Sequence, residues 1–236
     1  MMEGLKVKIN DSLEYNLKHV EWEEVGDVLV IIEQSFNISF EDQDFINLKT
    51  FGDLCDLVHD KIVLEHRDDC TSQQAFYKLK KALAATFDVD QKNIVPGTLL
   101  SEIIPYKYRI DKVKVLEQKL EMKLMLLSPP VWLSVGLLIL LGFSFLAFFL
   151  SWKIAVAGLA FSFAGFWISA KLGKEIEVLT VGDLVSKITS EHYLKSRSIS
   201  NTINRNELEG AIRSLFIEHL GLDSGQLDRE AGFKDF

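Results

Sequence analysis

The sequence predicts an all-α protein built around a two-helix transmembrane hairpin. Three observations carry this: two adjacent apolar runs of spanning length, apolar residues at helical spacing elsewhere, and short internal repeats. Of 236 residues 48% are apolar, enough for packed cores, so the informative feature is their placement. Between Val131 and Ala170 only Lys153 is charged, whereas the flanking segments are rich in Asp, Glu, Lys and Arg.

Residues 1–20 form an N-terminal segment with no apolar h-region and no small-residue cleavage site, so the internal hairpin is expected to direct insertion. The segment contains the tripeptide Asp11-Ser12-Leu13. Next comes a helical pattern with an acidic face, Glu21, Glu23, Glu24, Asp27 and Glu33, which ends in Ile32-Glu33-Gln34-Ser35-Phe36-Asn37-Ile38-Ser39-Phe40. Thr50-Phe51-Gly52-Asp53-Leu54 then opens a helix with Thr placed as its cap. Leu79 and Leu83 mark a helix that leads into Phe87-Asp88-Val89-Asp90 and Ile94, with Leu100 and Ile103 beyond. A further helix carries Lys107, Arg109, Lys112, Lys114, Lys119 and Lys123 and ends in Leu116-Glu117 through Leu124.

The first span, Val131 to Leu150, is uncharged and meets the roughly 20 residues that a bilayer requires. The second, Ile154 to Ala170, has about 17 residues, near the lower limit. Trp132, Trp152 and Trp167 fall near the span ends, where indoles favour the headgroup region, and Lys153 lies in the turn. These four are the expected membrane-interface residues. Basic residues flank the hairpin on both sides, Lys107 to Lys123 before it and Lys171 and Lys174 after it, which predicts that both termini are cytoplasmic. The expected location is the cell membrane, the inner one in a bacterium. The span interiors contain no ionisable residue, which disfavours a channel or transporter. Gly158 with Ser162, and Ala160 with Ala164, allow close helix approach, either within the hairpin or in a homodimer.

Three stretches recur in the soluble parts. Ile32 to Phe40 matches Leu116 to Leu124 at every apolar position, and Thr50 to Leu54 matches Thr180-Val181-Gly182-Asp183-Leu184. Phe87 to Asp90 with Ile94 matches Leu220-Gly221-Leu222-Asp223 with Leu227. Around the last pair, Leu79 and Leu83 correspond to Ile212 and Phe216, and Leu100 and Ile103 to Phe233 and Phe236. Between the first two stretches one copy has Glu41 to Lys49 and the other has the whole hairpin, so the hairpin reads as a loop insertion.

This set of helix, L-x-L-D loop, helix ending L-E-x-x-F and T-V-G-D-L helix resembles the acyl carrier protein family. The resemblance implies two four-helix bundles. One comprises 71–127 with 173–195, with the hairpin 131–170 inserted in it; the other joins 21–67 to 205–236 as a circular permutant. Closure between two chains, as a homodimer, is the alternative. The family carries acyl groups on phosphopantetheine attached to a serine. Counting back about 14 residues from Phe36 and Leu120 lands on Trp22 and Tyr106, which cannot bear that arm. Ser12 is the one candidate for the cofactor, standing about ten residues early, against its plainer reading as a turn serine.

The family also implies a partner. Carrier proteins meet basic enzymes through an acidic second helix, so Glu21, Glu23, Glu24 and Asp27 are candidates to bind a basic acyl-processing or lipid-synthesis enzyme. A net charge of −8 argues against nucleic acid. Five scattered histidines and two cysteines show no ligand spacing, so no metal is expected. No nucleophile motif or phosphate loop stands out, so no enzyme activity is expected. The sequence therefore points to a membrane-anchored, carrier-like interaction scaffold, or alternatively to a working carrier that uses Ser12.

Overall fold

The computed structural model describes residues 17–149, 151–199 and 201–234, so Ser12, Leu150 and Phe236 lie outside the described residues. It is dominated by helix. In chain order the α-helices are α1 (Trp22–Phe36), α2 (Phe51–Lys61), α3 (Thr71–Phe87), α4 (Leu100–Ile103), α5 (Arg109–Leu120), α6 (Val131–Leu146), α7 (Trp152–Leu172), α8 (Val181–Glu191), α9 (Tyr193–Ser196) and α10 (Arg205–Leu220). Among the described residues, four two-residue strands, β1 (Glu65–His66), β2 (Leu127–Ser128), β3 (Glu175–Ile176) and β4 (Thr202–Ile203), pair β1 with β4 and β2 with β3. The chain divides into two compact units, Met1–Gln74 with Lys187–Phe236 and Ala75–Ser186. The divisions fall inside α3 and α8.

The first unit draws its core from both ends of the sequence. Val28, Ile32 and Phe36 share one face of α1 at helical spacing, and they are buried with Phe51, Leu54 and Val58 of α2 and Ile212, Leu215 and Phe216 of α10. The Phe216 ring meets Phe51 edge-on at 5.5 Å and Phe233 at 6.2 Å. Burial of such side chains contributes about 2 kcal/mol each, which offsets the ordering of the chain.

The junctions between helices use side chains placed at fixed offsets. Helix α1 stops at Asn37, left-handed at φ 51°. There the Ile38 amide donates to the Glu33 carbonyl at 3.1 Å, and the Phe40 amide to the Glu33 carboxylate at 2.6 Å. Helix α2 opens on a capping box: the Asp53 amide donates to Thr50 Oγ1 at 3.1 Å and the Thr50 amide to Asp53 Oδ2 at 2.8 Å. The segment after α10 crosses this helix start. Phe51 and Gly52 amides donate to the Ala231 and Arg229 carbonyls at 2.9 and 2.8 Å, and the Phe233 amide to Lys49 at 2.9 Å.

The second unit contains the same bonds. Glu121 is left-handed at φ 58°, the Met122 amide donates to the Glu117 carbonyl at 3.2 Å, and the Leu124 amide to its carboxylate at 2.8 Å. Thr180 and Asp183 form a capping box at α8. Val181 and Gly182 amides donate to Thr98 and Pro96 carbonyls at 2.9 and 2.7 Å, and the Leu100 amide to Leu179 at 3.0 Å. Asp88 at φ 59° and Gly221 at φ 65° end α3 and α10 alike, each amide returning to the carbonyl four residues back.

Both crossings run close over a glycine, most tightly at Gly52. A Cβ on Gly52 would stand 2.6 Å from the Arg229 carbonyl oxygen, and one on Gly182 3.1 Å from that of Pro96. Gly52→Ala is therefore expected to destabilise the first unit by about 1–3 kcal/mol in urea unfolding. Gly210→Ala, in open space within α10, should be neutral or stabilising.

In the second unit, α6 and α7 pack side by side. Their entrance and exit are clipped by β2 and β3, with Leu127 opposite Ile176 and Ser128 opposite Glu175. Gly173 packs there against the Ser128–Pro129 peptide, leaving no room for a side chain. Helical structure from Val131 runs through Phe149. Helix α7 is longer than the apolar run, beginning at Trp152 and ending at Leu172, with Lys171 extending from its last turn.

Candidate functional site

Two features of the second unit are built for an apolar environment. The helical segments Val131–Phe149 and Trp152–Leu172 have 19 and 21 residues, about 28 and 31 Å of helix, and are long and apolar enough to cross a membrane. Their apolar side chains lie mostly on the outside: Phe143, Phe145, Phe161 and Phe163 are all more than half exposed. A buried core helix has the opposite pattern.

The face between the helices is narrow and small. Ala155, Ser162 and Ser169 of α7 are buried against Leu137 and Ser144 of α6, with Gly158 and Gly165 between them. A Cβ on Gly165 would stand 2.5 Å from Leu137 Cδ2, and Gly158 backs directly onto Ser144. Gly158 and Ser162 thus serve packing within the hairpin, while Ala160 and Ala164 remain on its outer face. Ser144, Ser162 and Ser169 hydroxyls donate to carbonyls of their own helices at 2.8, 2.9 and 3.2 Å, so these three hydroxyls are satisfied in an apolar surrounding.

Trp132 and Trp167 stand toward the neck of the hairpin and Trp152 and Lys153 toward the turn, all four exposed. The basic helix α5 divides into two groups. Lys112 and Lys119 turn inward, donating to the Thr86 and Ala85 carbonyls at 2.5 and 2.9 Å, where they complement the C-terminal end of α3. Arg109 is buried at the neck, its guanidinium donating to Lys174 and Ile104 carbonyls at 2.5 and 3.0 Å. Positive charge alone could not separate these capping roles from lipid contact.

In the first unit, Glu23, Glu24 and Asp27 are exposed on α1, beside an exposed Val30. Glu21 is bound to Lys234, with Nζ 2.6 Å from its carboxylate. Glu23 and Glu24 also occupy the first turn, where their charge favours the helix dipole. Trp22, the first residue of α1, stacks on Phe233 at 5.3 Å and donates from Nε1 to the Lys234 carbonyl at 2.9 Å. Residues 233 and 234 therefore sit at the start of α1. Tyr106 begins the turn that enters α5.

Sequence reasoning missed a buried polar network around Tyr193. The Tyr193 hydroxyl bonds Thr71 Oγ1, the Asn204 carbonyl and Glu207 at 3.0 to 3.2 Å, and its amide donates to Ser35 Oγ at 2.8 Å. The Arg197 guanidinium, fully buried, joins Thr71, Thr202 and the Asp69 carboxylate. Burial raises the Tyr193 pKa above its ordinary value, so the phenol stays a neutral hydrogen-bonding group. Every member is partnered, which marks the network as a structural lock on the segments flanking β1 and β4. Its members are scattered along the sequence, and only the fold assembles them.

The fold also gathers Glu191, Glu218 and His219, whose ligand atoms lie within 4.8 Å of one another. His219 Nε2 is 3.4 Å from Glu191, which also pairs with Lys187 at 3.9 Å. The hydrogen bond to Glu191 raises the His219 pKa above 6.5, against the opposing effect of burial. A raised pKa stabilises the fold at low pH, and that contribution is lost as pH rises through the folded value. The first unit should therefore be more stable at pH 6 than at pH 8, and His219→Gln should flatten that slope; an unchanged slope would contradict the pairing.

No family model matches the chain, and neither a curated protein nor a solved structure is significantly similar to it.

Proposed function

We propose that this chain is a membrane-anchored scaffold made of two degenerate acyl-carrier-like bundles, one permuted across the chain ends and the other interrupted by the hairpin. It holds a basic cytoplasmic partner, such as an acyl-processing or lipid-synthesis enzyme, at the bilayer. The observation that carries this reading is the matched pair of loop-to-helix junctions, at Gly52 with Arg229 to Phe233 and at Gly182 with Pro96 to Leu100. The position of Lys234 beside Trp22 supports the permuted order, because it sets the end of one element against the start of the next. An aromatic residue, Trp22 or Tyr106, stands where a carrier would present its serine, so neither bundle offers an aliphatic hydroxyl for phosphopantetheine at that place.

The exposed carboxylates Glu23, Glu24 and Asp27 offer the docking charge for a basic surface. Intact mass after co-expression with a phosphopantetheinyl transferase tests the scaffold reading. An unmodified chain is expected; a pantetheine adduct that disappears in Ser12→Ala would make the protein a working carrier instead.

The flanking lysines support a cytoplasmic location for the sequence on either side of the hairpin. The two cysteines test this without engineering. Cys70 is exposed, whereas burial pushes the Cys55 thiol up to about 12 and makes it unreactive. A membrane-impermeant maleimide should label Cys70 in inside-out vesicles and leave it untouched in right-side-out vesicles. The reverse pattern would invert the topology.

A further inference from the structure

We propose that the neck of the hairpin binds an anionic phospholipid, with its phosphate held by Lys107, Lys171 and Lys174 and an acyl chain lying in an open groove on the outer surface of α6 and α7. This rests on the membrane reading above and adds a specific ligand to it. The cations at the neck are arranged on aromatic rings. Lys174 Nζ and the Arg109 guanidinium lie over Tyr106 at 5.2 and 5.3 Å, Lys107 Nζ over Tyr108 at 5.2 Å, and Lys171 Nζ over Trp167 at 3.8 Å. Arg109 is 7% exposed, and its Nε has no hydrogen-bond partner. Glu175 on β3 and Glu177 just after it are the acids that follow.

The height of this collar follows from one bond. Arg109 donates to the carbonyl of Lys174, two residues beyond the end of α7, so Tyr106 and the surrounding cations sit at the end of the spanning segment. That is the level of lipid phosphates. An apolar groove of about 290 Å³ begins there, lined by Leu133, Leu137, Phe161, Ile168 and Leu172. Leu172 and Gly173 lead from the groove directly to Lys174. A free phosphate would use only the collar, whereas a phospholipid fills both parts. A zwitterionic headgroup would bring its own cation against aromatic faces already occupied by Lys and Arg, so an anionic one is favoured.

Native mass spectrometry of the full chain in detergent tests this with phosphatidylglycerol, phosphatidylcholine and inorganic phosphate as separate probes. Phosphatidylglycerol should be retained about tenfold more strongly than phosphatidylcholine, a difference of about 1.4 kcal/mol. The variant K107Q/K171Q/K174Q should lose that preference, and K81Q/K92Q should keep it. Lys174→Arg, which preserves charge, should retain it, and single Lys→Gln variants replace the triple one if circular dichroism shows that it is misfolded. Equal retention of the two lipids, an undiminished preference in the lysine variants, or equal binding of inorganic phosphate would overturn the proposal. Failure of the membrane reading is distinct, since the chain would then stay in solution without detergent.

Discussion

Phe216→Ala is expected to destabilise the first unit by about 3–5 kcal/mol. The side chain is fully buried and touches the rings of Phe51 and Phe233, so its loss leaves a cavity bounded by three separate segments. The effect has a structural address. Phe216 lies near the C-terminal end of the sequence, yet the core it supports includes α1 and α2 from the N-terminal end. Trp22 is the sole tryptophan outside the hairpin segment, so in a W132F/W152F/W167F background its fluorescence reports this unit during urea unfolding. A loss below about 1 kcal/mol would mean that α10 does not share a core with α1 and α2.

Ile139→Arg should sharply reduce membrane insertion. Ile139 lies midway along α6 and is 55% exposed, pointing away from α7. A guanidinium there costs about 2.5–3.5 kcal/mol on insertion scales, equivalent to about a hundredfold shift in the inserted fraction. Resistance to alkaline extraction from membranes measures it. Ile46→Arg provides the control, because Ile46 is 75% exposed in a loop of the first unit and should leave extraction unchanged. Full retention of Ile139→Arg in the alkaline pellet would argue that α6 is not lipid-facing.

Much of the secondary structure was legible because its signals are local. Thr50 with Asp53 and Thr180 with Asp183 predict helix starts three residues at a time, and both pairs form the reciprocal capping bonds. The run from Val131 is apolar all round, a pattern that needs no partner to be recognised. The second span is shorter in sequence than in structure because an apolar run stops at the first charged residue, whereas a helix continues as long as its backbone bonds do. Trp152, Lys153, Lys171 and Leu172 all belong to α7.

The roles of charged residues were less legible, since a side chain's charge is local and its partner is not. Lys112 and Lys119 read along the sequence only as part of a basic stretch before the hairpin, and the fold directs them to α3 carbonyls. Glu33 and Glu117 look like solvated acids, yet each accepts an amide seven residues ahead and stabilises the turn after its helix.

The sequence by itself determined the helical elements, the two apolar spans and their aromatic ends, because each follows from residue type and spacing within a turn or two. Only the tertiary structure decided that Gly158 and Ser162 face α6, and that Tyr193 and Arg197 gather a buried polar network. These depend on which surfaces meet when apolar area leaves water and buried polar groups find partners, and that is a property of the whole fold.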